Sequence, residues 1–157
     1  MKIKSFLQIE GAADTGKTSA ITWTFLKLLE EGPTLKGFKY VERGDFVALI
    51  EFKQKILAII SRGDVLECCK KDIKALEELD SKNQITDLDL LIYATRTKGK
   101  TIEFYQKLLE QNSKQEADKV IALKEWFSPE NKGKIIPYLD KQVEKIYQTM
   151  KTLLGIS

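Results

Sequence analysis

Nine stretches of the chain carry a periodic apolar pattern, five at the short period of a strand and four at the spacing of a helix. Ile3–Ile9 reads as a first strand, and Lys17–Glu31 as a helix with Ile21, Phe25, Leu28 and Leu29 inward. Gly32-Pro33 closes that helix as a C-cap followed by a breaker. A loop is predicted from Thr34 to Gly44. Two β-rich runs follow, Phe46–Phe52 and Lys55–Ile60. Ser61-Arg-Gly-Asp64 turns into a second helix, where Asp64-Val-Leu-Glu67 has the form of a capping box and Val65, Leu66, Cys69, Ile73 and Leu76 form the stripe. Asp87–Ala94 is the fourth predicted strand, Ile102–Glu110 the third helix and Lys119–Leu123 the fifth strand. Trp126–Ile136 reads as a loop. Pro137 then suits the start of a long terminal helix defined by Leu139, Val143, Ile146, Tyr147, Met150, Leu153 and Leu154.

Only Lys53-Gln54 separates the second and third strands, which demands an antiparallel hairpin, since a parallel pair needs a crossover of about a dozen residues. With right-handed crossovers elsewhere, the order predicts one α/β domain over residues 1–157. Its sheet is five-stranded and mostly parallel, ordered 2-3-1-4-5 in these predicted strands. The second strand is an antiparallel edge, and helices cover both faces in a three-layer arrangement.

Between the first strand and first helix lies Gly-Ala-Ala-Asp-Thr-Gly-Lys-Thr, residues 11–18, which fits the phosphate-binding pattern G-x-x-x-x-G-K-[ST] at every fixed position. Glycines at 11 and 16 permit backbone angles that let successive N–H groups face an anion, and the helix adds its positive end. The expected ligand contacts are Gly11, Ala12, Ala13, Asp14, Thr15, Gly16, Lys17, Thr18 and Ser19. Lys17 is expected on the outer phosphates and the Thr18 hydroxyl on Mg²⁺.

Composition narrows the chemistry. The chain has no histidine, so imidazole bases, Ser-His triads and histidine metal sites are excluded. Phosphoryl transfer is a reaction class that runs on carboxylate, lysine, arginine, hydroxyl and metal ion. The adjacent Cys68-Cys69 pair is expected as two reduced thiols. No apolar run approaches the ~18 residues of a membrane span, and the N-terminus enters a strand without a signal-peptide pattern, so a cytoplasmic protein is expected. A net charge of +3 is too mild to indicate nucleic acid. There are 23 lysines but only three arginines, Arg43, Arg62 and Arg96. The predicted topology brings all three to the sheet edge that carries the glycine-rich loop. Arg96 and Arg62 are the candidate arginine fingers. The strand expected beside the loop ends without a carboxylate, leaving Asp64 as the candidate second metal ligand. Asp14 and Asp45 compete with it, and Glu10 reads as structural. Trp126 and Phe127 could stack on a base, though core or interface packing explains them as well.

On Gly11–Thr18 the chain resembles the P-loop NTPase superfamily. Its hairpin after an irregular loop is similar in topology to Ras-like small GTPases. That resemblance would make Thr34–Asp45 the first switch loop and Ser61–Asp64 the second. The guanine signature Asn-Lys-x-Asp is absent, since Asn131-Lys-Gly-Lys134 lacks its carboxylate. The resemblance therefore implies a nucleoside triphosphate ligand, ATP before GTP, with Mg²⁺. Three readings stay open: an NTPase, a small-metabolite or nucleotide kinase, and a non-catalytic nucleotide-binding protein with a protein partner.

Overall fold

The strand that leads into the glycine-rich loop does not sit beside the hairpin, as the predicted order required. Another strand stands between them. The computed structural model describes residues 1–13, 15–122, 133 and 135–157. Its strands are β1 (Lys2–Ile3), β2 (Phe6–Glu10), β3 (Thr34–Tyr40), β4 (Phe46–Phe52), β5 (Lys55–Ile60), β6 (Asp87–Leu88), β7 (Leu90–Thr95) and β8 (Asp118–Ile121). Its helices are α1 (Lys17–Glu30), α2 (Leu66–Lys82), α3 (Lys100–Gln111) and α4 (Ile135–Leu154). The six-stranded sheet runs β3-β4-β5-β7-β2-β8, and β1 pairs with β6 in a small separate ladder. β5, β7, β2 and β8 are parallel, whereas β4 is antiparallel to both β3 and β5.

Handed crossovers assign each helix a face but do not say which strand is inserted between two others. α1 and α4 share one core with Leu7, Ile9, Ile50, Ile59 and Ile92. α2 and α3 share the other with Phe6, Val47, Leu49, Ala58, Leu91 and Tyr93. Helices on both faces are therefore as expected. β7 takes the interior place because every one of its residues is buried, with apolar side chains on both faces as far as Ala94. β2 carries Gln8 and Glu10 on its α2–α3 face, and that burial is satisfied locally. The Tyr93 hydroxyl donates to Gln8 Oε1 at 2.9 Å, and Gln8 Nε2 donates to Glu10 at 3.0 Å.

The segment predicted as a loop from Thr34 to Gly44 is mostly the edge strand β3. A register shift between Leu35 and Gly37 breaks its alternation, which is why periodicity missed it. The Lys53-Gln54 hairpin is as expected. Both residues have positive φ, 49° and 65°, which marks the primed turn that matches strand twist.

Candidate functional site

β2, β7 and β5 end in the same direction, and the chain leaves them through Gly11–Gly16, Thr95–Gly99 and Ser61–Val65 respectively. The first loop is shaped by two glycines for different reasons. Gly16 has φ +82°, where a side chain is strained, and its carbonyl accepts the Ala20 N–H at 2.9 Å to start α1. Gly11 is needed for space: a Cβ there would stand 2.7 Å from Thr15 Oγ1 and 2.8 Å from Ala122 Cβ. Backbone angle thus explains Gly16, and close packing explains Gly11. The Thr15 hydroxyl donates to the Ala12 carbonyl at 2.7 Å and closes the loop on itself.

The Lys17 ammonium lies at the centre of the site. It donates to the Gly11 carbonyl at 2.6 Å, the Ala12 carbonyl at 2.9 Å and Asp64 Oδ1 at 2.7 Å. Three acceptors match its three donors. The lysine side chain is 5% exposed, whereas Asp64 is 40% exposed, so the pair spans the boundary between interior and solvent. Thr18 and Ser19, next on α1, are exposed.

Asp64 is free for this contact because it does not cap α2. The expected capping box does not form. The N-cap residue is Val65, extended at φ −124° and ψ 127°, with no side-chain cap hydrogen bond. A cap is worth about 1 kcal/mol, whereas a buried ammonium left without its anion costs several. Gly63 explains how Asp64 reaches Lys17 although β7 separates β5 from β2. A Cβ at Gly63 would lie 1.7 Å from the Ala94 carbonyl oxygen. Only a glycine lets the chain press against the end of β7 there, on the way to the loop after β2.

The three arginines part company. Arg96 Nε lies 3.9 Å from Asp64 Oδ1, and the Arg96 backbone N–H donates to the Thr101 hydroxyl. Arg62 instead grips Asp72 with two hydrogen bonds, Nε to Oδ2 at 2.8 Å and Nη2 to Oδ1 at 2.9 Å, and reaches Glu42 at 2.9 Å. Those bonds to Asp72 raise the Arg62 guanidinium further above its already high value. Arg43 is exposed in the Val41–Asp45 hairpin with φ +49°. Of the predicted site residues outside the loop, the structure brings Asp64 and Arg96 together at Lys17 and engages Arg62 elsewhere.

The competing carboxylates are occupied. Asp45 accepts from the Ser61 hydroxyl at 3.0 Å, and burial raises it above the ordinary carboxylate range. Glu10 is bonded to Gln8 and lies 3.7 Å from Lys119. Asp14, Trp126, Phe127 and Asn131–Lys134 as a unit fall outside the described residues. Sequence reasoning passed over Thr95. Its hydroxyl is buried and without a partner among the described residues, while its carbonyl accepts the Gly11 N–H at 3.1 Å. A hydroxyl ending an otherwise apolar strand was the available signal.

Among the described residues no group of three or more His, Cys, Asp or Glu side chains could hold a metal ion. The donors at hand, the Asp64 carboxylate and the Thr18 hydroxyl, are hard oxygens. Oxygen donors of this kind are those Mg²⁺ takes, and they are not the thiolate or imidazole donors a softer metal prefers. Cys68 and Cys69 are unpaired thiols, and burial pushes Cys69 up to about 12. Among the described residues no helix is long and apolar enough to cross a membrane. Comparisons with protein-family models, curated proteins and solved structures return no significant match.

Proposed function

We propose that Gly11–Thr18 holds the phosphates of a nucleoside triphosphate, and that the chain is a P-loop NTPase acting on ATP with Mg²⁺. The observation that carries this reading is the Lys17 ammonium, held over a glycine-shaped helix start by Gly11, Ala12 and Asp64. An ammonium resting on two loop carbonyls can exchange them for phosphate oxygens without moving its side chain out of the core. The first turn of α1 contributes free backbone donors and its positive end.

Mg²⁺ would supply neutralisation of the charge that develops on the phosphate oxygens. Thr18 and Asp64 would hold it, Asp64 through water. Arg96, exposed and next to Asp64, is the arginine aimed at the equatorial oxygens in the transition state. Arg62 does not fit that role, because both edges of its guanidinium are already used by carboxylates. The absent Asn-Lys-x-Asp carboxylate favours ATP over GTP.

The test is thermal unfolding with a panel of nucleotides, with and without Mg²⁺, followed by phosphate release with no acceptor added. ATP at about a hundredfold its dissociation constant is expected to stabilise the chain by ~2.7 kcal/mol. Lys17→Ala should remove that gain, and Arg96→Lys should lower turnover more than affinity. No stabilisation of folded protein by any nucleoside triphosphate would end the proposal. Binding without phosphate release would leave a nucleotide-binding protein that does not hydrolyse.

A further inference from the structure

We propose that the outer edge of β3 is a docking site for an extended segment of a partner protein in which acidic and apolar residues alternate. β3 pairs with β4 alone and ends the sheet, so along its seven residues the backbone on the other side has no ladder partner among the described residues. Such an edge is a template for one more strand. Two different surfaces flank it.

On the α1 side, Phe38 stacks on Phe25 at 6.0 Å and on Phe46 at 5.5 Å, yet stays 46% exposed. Tyr40, two residues along on the same face, is 62% exposed. Leu29, one turn after Phe25 on α1, extends this apolar surface.

On the α2 side lies a cleft of about 270 Å³ between Lys39 of β3 and Lys71 and Lys74 of α2. Arg62 and Asp72 form its floor, already paired, and Glu78 is the remaining carboxylate in the wall. The three lysine ammonium groups have no ion pair among the described residues, so the cleft is short of negative charge.

A strand laid against β3 sends successive side chains to opposite faces. One set would meet the aromatic surface and the other the lysines. The complementary sequence is therefore apolar at one parity and acidic at the other. A second copy of this chain is a poor occupant. β3 carries lysines and no acidic residue, so a β3–β3 pairing would bring no carboxylate to either cleft. The chain's own acid–apolar run, Asp87-Leu-Asp-Leu90, is already built into pairings with β1 and β5.

The experiment is selection of random displayed peptides on the full chain. The expected winners alternate Asp or Glu with apolar residues. One winner, made synthetically, should bind about tenfold or more weakly to Lys71→Glu/Lys74→Glu, which alters only exposed positions, with thermal unfolding confirming the fold. Exchanging the peptide's acids for lysine should restore binding to that variant. Methylating alternate backbone nitrogens of the peptide should abolish it. Selection of helical, proline-rich or basic sequences, or of none, would overturn the proposal. So would dimerisation in sedimentation that Phe38→Ser removes, which would assign the edge to self-association. This site does not depend on nucleotide binding, and its failure would leave that reading untouched.

Discussion

A single missing Cβ at Gly63 decides whether Asp64 can meet Lys17. Its φ is not the reason; the Ala94 carbonyl occupies the space. Gly63→Ala must therefore push the segment off the end of β7. The expected cost is about 1–3 kcal/mol from overpacking, with a loss of the proposed ATP-dependent stabilisation as Asp64 moves. Denaturant titration with and without nucleotide measures both, and wild-type behaviour in both would refute the crossing. Arg62 matters for stability through its partner. Arg62→Met would leave the Asp72 carboxylate buried without a counter-ion, a loss of about 3–5 kcal/mol.

Asp80 is a different kind of residue. It is buried on α2, and among the described residues neither carboxylate oxygen has a hydrogen-bond partner. Burial raises it from 3.8 to about 6, with Glu77 adding and the Met1 amino group opposing. Its folded value lies above its unfolded one. Its contribution to stability is therefore complete below about pH 4 and is lost as pH rises through about 6, a difference of the order of 3 kcal/mol. Asp80→Asn should raise the melting temperature at pH 8 and flatten its change between pH 5 and 8. Equal melting temperatures for both proteins at pH 8 would contradict this.

At the scale of elements, the Lys53-Gln54 turn links β4 to β5 through two residues of positive φ, neither of them glycine. The geometry is the right one for a twisted hairpin, but the residues are not those it favours. Lys53→Asn with Gln54→Gly should stabilise the chain by about 1 kcal/mol, read as a higher denaturant midpoint at unchanged slope. β3 shows the opposite case, a strand whose local signals are weak. Gly37 interrupts it, a bulge breaks its alternation, and most of its residues are exposed. It is ordered by pairing with β4 and by the Phe25–Phe38–Phe46 stack, which are contacts of the folded state. The first switch loop implied by the Ras-like resemblance is accordingly a sheet edge here.

Across the whole molecule, burial falls from the interior strands β5, β7 and β2 toward the edge β3. Native-state hydrogen exchange should follow that gradient. Amides of β7 should open only with global unfolding, and those of β3 through a cheaper local opening. Equal protection in β3 and β7 would show that the edge is held more firmly than its contacts indicate. The crossing of the Ser61–Asp64 segment over β7 belongs to this scale too, because it joins two strands that are not neighbours into one site.

The chain's periodicity was sufficient for the four helices, the hairpin and the faces the helices cover, because each depends on local spacing or on backbone handedness; it also marked the parallel strands, but not the breaks that split Ile3–Ile9 into β1 and β2 and Asp87–Ala94 into β6 and β7. The glycine-shaped turn into α1 was equally legible, since the positive φ of Gly16 and the close packing at Gly11 each call for glycine. The edge strand, the insertion of β7 and the parting of the arginines were not. Each turns on which distant groups meet. Asp64 looks like a helix cap until a buried ammonium competes for it, and Arg62 looks like a finger until Asp72 takes one edge of its guanidinium and Glu42 the other. Local pattern determines what a segment can form, and only packing decides which of its possible partners it gets.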